Sequence, residues 1–337
     1  MPVKVMNCPS CGNTLPASAR PNQLLTCSAC NTTLYLSDWE IGKSDGDVAV
    51  ATPTRVYTIS DLLFKDDLCN VYRCVYKADD KQWQGMFRIA RDVDDNDLVQ
   101  NEAKTLYHLH SASDYDEFRP FLPYTLESFV YQDATLSKGR QVNIYGIHEG
   151  ISAPNELFTL EEIHAYYPNG IDPKDMAWMW RRLLYVLGFI HNNHVVHGAI
   201  IPSHIMIEPK DHKLFLSGWG FSVSEPSKTG KRMTAISSTY DKWYPPEIYE
   251  KKVPTSSVDL FLAARSMLYL IGADPLDESA EHRNLDKPLQ AHFAQCLKSF
   301  PNNRPQDAWK LLEEFDSIIE KLWGSRTFRV FSMPYKT

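Results

Sequence analysis

Apolar and polar positions change their rhythm along the chain. Runs such as Asn70-Val71-Tyr72-Arg73-Cys74-Val75-Tyr76 and Gly85-Met86-Phe87-Arg88-Ile89-Ala90 have the β-branched and aromatic content of strands. Over residues 95–110 the apolar positions Leu98, Ala103, Leu106 and Leu109 fall on one face of a predicted helix. Strand-like segments then continue to about His164. Asp172 before Pro173 is a helix-start signal. From there helices are predicted over 176–192, 257–271, 288–297 and 306–323. The most apolar stretch, 260–273, contains Arg265, is too short to span a membrane and reads as a buried helix. Strands first and helices later predict an α+β, two-lobed architecture.

The 337-residue length suits two or three compact units. A formal net charge of -7 gives no electrostatic case for nucleic acid or an anionic membrane. The start, MPVKVMNCPSCG, lacks the apolar segment of a signal peptide, and of seven cysteines only four are paired in sequence, so a cytoplasmic location is expected.

Those four are Cys8-Pro9-Ser10-Cys11 and Cys27-Ser28-Ala29-Cys30, separated by fifteen residues. Each C-x-x-C turn aims two sulfurs at one point, and two such turns make a four-cysteine zinc site. Cys8, Cys11, Cys27 and Cys30 are the expected ligands of a structural zinc, because a closed set leaves no place for water or substrate. The ribbon is assigned to residues 1–36 and a linker to 37–55. Lys4 and Arg20 are its only basic residues, a weak footprint for nucleic acid.

From residue 57 to about 323 a series of landmarks falls in a telling order. Asn101-Glu102-Ala103 lies on the first long helix, His197-Gly198-Ala199-Ile200-Ile201-Pro202-Ser203-His204-Ile205 follows a helix ending in Ile190-His191, and Leu216-Ser217-Gly218-Trp219-Gly220 comes next. Pro245-Pro246-Glu247, Asp259 and Arg304 complete the set. In this order the chain resembles the protein kinase superfamily, and the His197-Gly198-Ala199 loop is similar to those of degenerate bacterial or phage kinase-like proteins. The resemblance implies a strand-rich lobe over 56–160, a helical lobe over 161–323 and a tail over 324–337. It also implies that Glu247, Asp259 and Arg304 shape the fold.

The same resemblance implies losses. Phe64, Asp66 and Cys69 stand where a kinase has the glycines of its phosphate-covering loop, and Arg88 stands for its phosphate-holding lysine. Ala199 replaces the catalytic aspartate, His204 the metal-binding asparagine, and Gly218 the main magnesium aspartate. Arg88 can still pair with Glu102. Rescue would need relocated groups: Lys77 or Lys81 for the lysine, and Glu208, Asp211 or Glu225 for a metal ligand.

The expected function is therefore a catalytically inactive kinase-like protein, a pseudokinase, that acts as a protein-binding scaffold or allosteric regulator. ATP and magnesium are not expected. Two alternatives stand beside it: a kinase-fold transferase with a rearranged ATP site, and a nucleic-acid adaptor using the ribbon. His191, His194 and His197 read as packing groups rather than a metal site. Residues 222–239 read as a surface loop or a phosphorylated activation segment. The segment 326–334 either docks a partner or packs on its own lobe.

Overall fold

The alternation at Cys69–Ala78 is a long strand whose neighbours on both sides are antiparallel. In the computed structural model, which describes residues 6–16, 19–38, 40–41, 47–133, 136, 138–146 and 156–334, two compact units are seen. One comprises Met1–Tyr107 and Pro123–Glu149, the other His108–Leu122 and Gly150–Thr337.

The first unit is an eight-stranded sheet with one long helix. In chain order its strands are β1 (Leu24–Thr26), β2 (Thr33–Leu36), β3 (Val48–Ala51), β4 (Val56–Lys65), β5 (Cys69–Ala78), β6 (Lys81–Ala90), β7 (Tyr124–Gln132) and β8 (Arg140–Gly146). Across the sheet they run β1-β2-β7-β8-β6-β5-β4-β3. The helix α1 (Asn96–His110) buries the four apolar positions named above.

Two expectations are corrected here. The cysteine-bearing ribbon is not set apart by a linker, because β2 pairs in parallel with β7, Leu34 opposite Val130 and Tyr35 opposite Tyr131. Tyr35 is 1% exposed and its ring lies 6.0 Å from that of Tyr131, nearly parallel to it. Within the presumed linker, residues 48–51 form β3 on the far edge of the same sheet, with Val48 and Val50 buried against Tyr57 and Ile59. A strand of four residues carries too little pattern to stand out in sequence.

The second unit is mostly helical: α2 (Tyr115–Phe118), α3 (Leu160–Tyr166), α4 (Pro173–Asn192), α5 (Pro226–Thr229), α6 (Pro246–Tyr249), α7 (Ser256–Leu270), α8 (Lys287–Cys296) and α9 (Ala308–Trp323). Asp172 caps α4 by accepting from the Lys174 amide. The apolar run becomes α7, with Arg265 donating to the carbonyls of Lys242 and Trp243. Strand content ends earlier than expected. After β9 (Phe158–Thr159), the chain enters α3 through a capping box in which Thr159 and Glu162 exchange hydrogen bonds. Short strands β10 (Val195–Val196) and β13 (Val223–Ser224) pair, as do β11 (Ile205–Glu208) and β12 (Lys213–Leu216). The tail packs on its own unit: Tyr167 donates to the Ser332 carbonyl and Phe331 is buried. Among the described residues no helix is long and apolar enough to cross a membrane.

Candidate functional site

The hairpin between β4 and β5 turns without glycine because a side chain does the turning. Asp66 Oδ1 accepts from the amides of Leu68 and Cys69, at 3.0 and 2.7 Å. This leaves Asp66 Oδ2 facing Arg88 on β6, whose Nη1 lies 2.7 Å away. On the other side of the guanidinium, Nη2 meets Glu102 of α1 at 3.3 Å. Glu102 also accepts from Asn143 of β8 at 3.2 Å, and the same Asn143 amide donates to the Val99 carbonyl of α1. Arg88 is 2% and Glu102 1% exposed. Burial alone would weaken the guanidinium's hold on its proton, but the two carboxylates outweigh it and push its pKa up.

Arg88 is thus held between two carboxylates, Asp66 on one side and Glu102 on the other. Phe64 sits half-buried on β4 opposite Val71, and Cys69 is fully buried on β5 opposite Ala90. Burial pushes the Cys69 thiol well up, so it is an inert packing group. Lys77 and Lys81 lie at the far end of the β5–β6 hairpin, about 20 Å from Arg88 at the rise of a strand. Neither comes near Arg88.

In the second unit the loop 197–204 is knotted by its own side chains. Asp259 of α7 is fully buried and takes three donors. These are the amides of His197 and Gly198, each at 2.8 Å, and His191 Nε2 at 2.9 Å. His197 Nδ1 accepts from the Ala199 amide at 3.2 Å, so Nε2 carries the proton and donates to the Ser217 carbonyl at 3.0 Å. Burial drops the His197 pKa to about 3. His204 Nδ1 lies 3.0 Å from the Ala199 carbonyl. Both polar groups of the Ala199 backbone are therefore spent on histidines, and its methyl is fully buried.

The two positions assigned to metal ligands fit each other instead. Gly218 has φ +79°, and a Cβ placed on it would lie 2.3 Å from His204 Nδ1 and 2.4 Å from His204 Cγ. The imidazole fills the space that an aspartate at 218 would enter. Among the possible rescuers, Glu208 lies at the opposite end of the β11–β12 hairpin from Gly218 and accepts from the amides of Lys210 and Asp211. Asp211 and Glu225 pair with Lys213 and Lys228. Glu247 and Arg304 form a buried bidentate pair, and Arg304 also lies over the Phe261 ring. His194 lies outside any metal-like cluster among the described residues.

The buried neutral His197 has a pH signature. In the unfolded chain a histidine titrates near 6.5, so between that value and about 3 the unfolded state binds more protons and stability falls as pH drops. At pH 5 this one group is expected to remove about 2 kcal/mol, from 1.5 units at 1.36 kcal/mol each. Chemical denaturation at pH 7.5 and 5.0 reads it. A His197→Gln variant whose pH slope equals that of the parent chain would discount the histidine as the source.

In the first unit, the sulfurs of Cys8, Cys11, Cys27 and Cys30 all lie within 4.8 Å of one another. Cys8–Cys30 and Cys11–Cys27 are each 3.7 Å apart, and none is in a disulfide. Four sulfurs placed tetrahedrally at about 2.3 Å from a metal would be about 3.8 Å apart. The donor set and spacing fit a metal ion. The hairpin β1–β2 carries Cys27 and Cys30 on the turn between its strands, and Cys8, Cys27, Leu15, Leu34 and Val130 share a small apolar cluster.

No family model matches the chain. It is 25% identical over 193 residues to the probable serine/threonine-protein kinase irlC of Dictyostelium discoideum, a match covering 57% of this chain and 12% of that protein. It is 26% identical over 149 residues to serine/threonine-protein kinase pak-1 of Caenorhabditis elegans (43% of this chain, 24% of that protein). Identity to serine/threonine-protein kinase PAK 1 of Mus musculus is 27% over 105 residues (31% and 19%). The matches thus span less than a quarter of each relative's own length. Among solved structures, the BubR1 kinase domain superposes with a TM-score of 0.62 at 13% identity, covering 86% of this chain and 87% of that one. The sheet with its long helix, the helical unit and the BubR1 superposition show that the chain has a protein-kinase-like fold.

Proposed function

We propose that the chain is a pseudokinase: a protein-kinase fold that neither holds magnesium nucleotide nor transfers a phosphoryl group, and that works by binding other proteins as a scaffold or regulator. The observation that carries this reading is Asp66, folded back onto Arg88 so that the strand cation is already neutralised from both sides. A phosphate would have to displace a carboxylate held by two amides as well as by the guanidinium. The His204 ring over Gly218 supports the same reading, because magnesium needs oxygen ligands and neither residue offers one there. With these positions closed, the molecule's surface is what remains for function. The expected result is no magnesium-dependent shift in melting temperature with ATP and no radiolabel transfer to protein. Stabilisation that requires magnesium would turn the reading toward a kinase-fold transferase with a rearranged site.

The four cysteines would hold one zinc ion, which supplies cross-linking and no catalytic chemistry when bound. Elemental analysis of the full chain is expected to give one zinc per molecule, lost in the Cys8→Ser/Cys27→Ser double variant. Because β2 is a member of the main sheet, metal loss is also expected to lower the melting temperature rather than merely loosen an appendage. Protein made with ample zinc that carries none would refute the assignment. Within the described ribbon Arg20 is the only basic residue, which favours a protein or purely structural role over nucleic acid.

A further inference from the structure

Helix α4, the end of α9 and the tail line an open pocket of about 350 Å³ on the second unit, within the size range of small-molecule sites. Its wall carries Lys174, Arg181, Arg182, Arg326 and Arg329 and not one carboxylate, on a chain with a formal net charge of -7. Three aspartates behind the wall answer these cations. Asp316 is shared between Arg181, at 2.5 and 3.0 Å, and Arg326, at 3.4 Å. Asp172 and Asp175 both serve Arg329. Among the described residues no carboxylate pairs with Lys174 or Arg182, both exposed, so the wall keeps a surplus of two positive charges.

The rest of the wall is aromatic. The Lys174 ammonium lies 5.7 Å from the Trp323 ring centre, and His212 is stacked between Trp178 at 4.1 Å and Phe328 at 4.4 Å. His212 is 9% exposed and bonds the Arg329 backbone, yet among the described residues its Nε2 has no hydrogen-bond partner, and neither has the buried Nε1 of Trp178. A buried polar group left unpaired costs about 1–3 kcal/mol, so two of them on one wall point to an absent partner.

We propose that this pocket binds a phosphomonoester carried on an aromatic body. A phosphate dianion balances the two surplus charges. The Arg182 fork and the Lys174 ammonium match its oxygens, and the indole and phenyl faces take the ring. The source of such a group is either a small aryl phosphate or a phosphotyrosine side chain on a peptide.

The test uses the full chain with phenyl phosphate, inorganic phosphate, phenol, benzoate and a phosphotyrosine peptide, read by calorimetry and by the fluorescence of Trp178 and Trp323. Phenyl phosphate is expected to saturate the signal and to bind at least about tenfold more tightly than inorganic phosphate or benzoate. Lys174→Gln and Arg182→Gln should each weaken it about tenfold with unchanged circular dichroism, since each removes one charge-assisted contact from an exposed side chain. Tighter binding of the peptide assigns the source to a protein, and equal or weaker binding assigns it to a small ester. No saturable binding of either phosphate ester at millimolar concentration, binding indifferent to both variants, or benzoate equal to phenyl phosphate would overturn the proposal.

Discussion

Arg88→Met is expected to cost the first unit about 3–5 kcal/mol, the range for removing one member of a buried ion cluster. The size of the effect comes from what is left behind. Asp66 and Glu102 would face each other across an apolar side chain, with Glu102 1% exposed. The Arg88→Met/Asp66→Asn/Glu102→Gln triple variant removes all three charges and is expected to recover most of the loss, because the pair's gain is largely the avoidance of stranded carboxylates. Urea denaturation followed by circular dichroism compares the two. Should Arg88→Met alone change stability by less than about 1 kcal/mol, the cluster would have to be open to water, as surface pairs are.

A comparable loss is expected at Gly218, from shape rather than charge. Gly218→Ala has to hold a left-handed backbone, at about 1 kcal/mol, and drive a Cβ into an imidazole 2.3 Å away. Together these should cost about 3 kcal/mol, in the range of overpacked cores. Gly218→Asp should cost more, since a carboxylate there is buried without a partner. In a His204→Ala background the clash disappears and only the backbone strain remains, so Gly218→Ala should then cost about 1 kcal/mol. The coupling of about 2 kcal/mol is what residues in contact show and distant ones do not. Additive single and double variants would mean that the ring does not fill that space, and a metal ligand at 218 would again be conceivable.

How far these features could be read in sequence depended on how local their cause is. The four cysteines were legible because spacing alone brings two C-x-x-C turns to one ion. Helix α1 was legible because Leu98, Ala103, Leu106 and Leu109 follow the helical period. The order of kinase landmarks gave the two-part architecture. Helix α3 was missed although Thr159 and Glu162 spell a capping box, a signal that strand-like neighbours obscured. The joining of β2 to β7 left no trace, because Leu34 and Val130 are far apart in sequence and parallel pairing needs no connecting turn. The hold of Asp66 on Arg88 required the register of the β5–β6 hairpin, which no single-strand pattern supplies. The fit of His204 against Gly218 had one readable hint: two positions that share a ligand in kinases are both altered here.

The parallel pairing of β2 with β7 also governs how this protein fails. A strand at the margin of a sheet presents unpaired amides and carbonyls that can template another chain. Without the ribbon hairpin β7 would be such a margin, nine residues long and carrying Phe129, Val130 and Tyr131. With it, β7 is paired over Val130–Gln132 on that side, and the outermost strands β1 and β3 have only three and four residues. The cysteine cluster fastens the hairpin that covers the Val130–Gln132 end of β7. Starved of its ion, the molecule would uncover the Val130–Gln132 edge of β7, and clumping rather than simple melting is the expected first event.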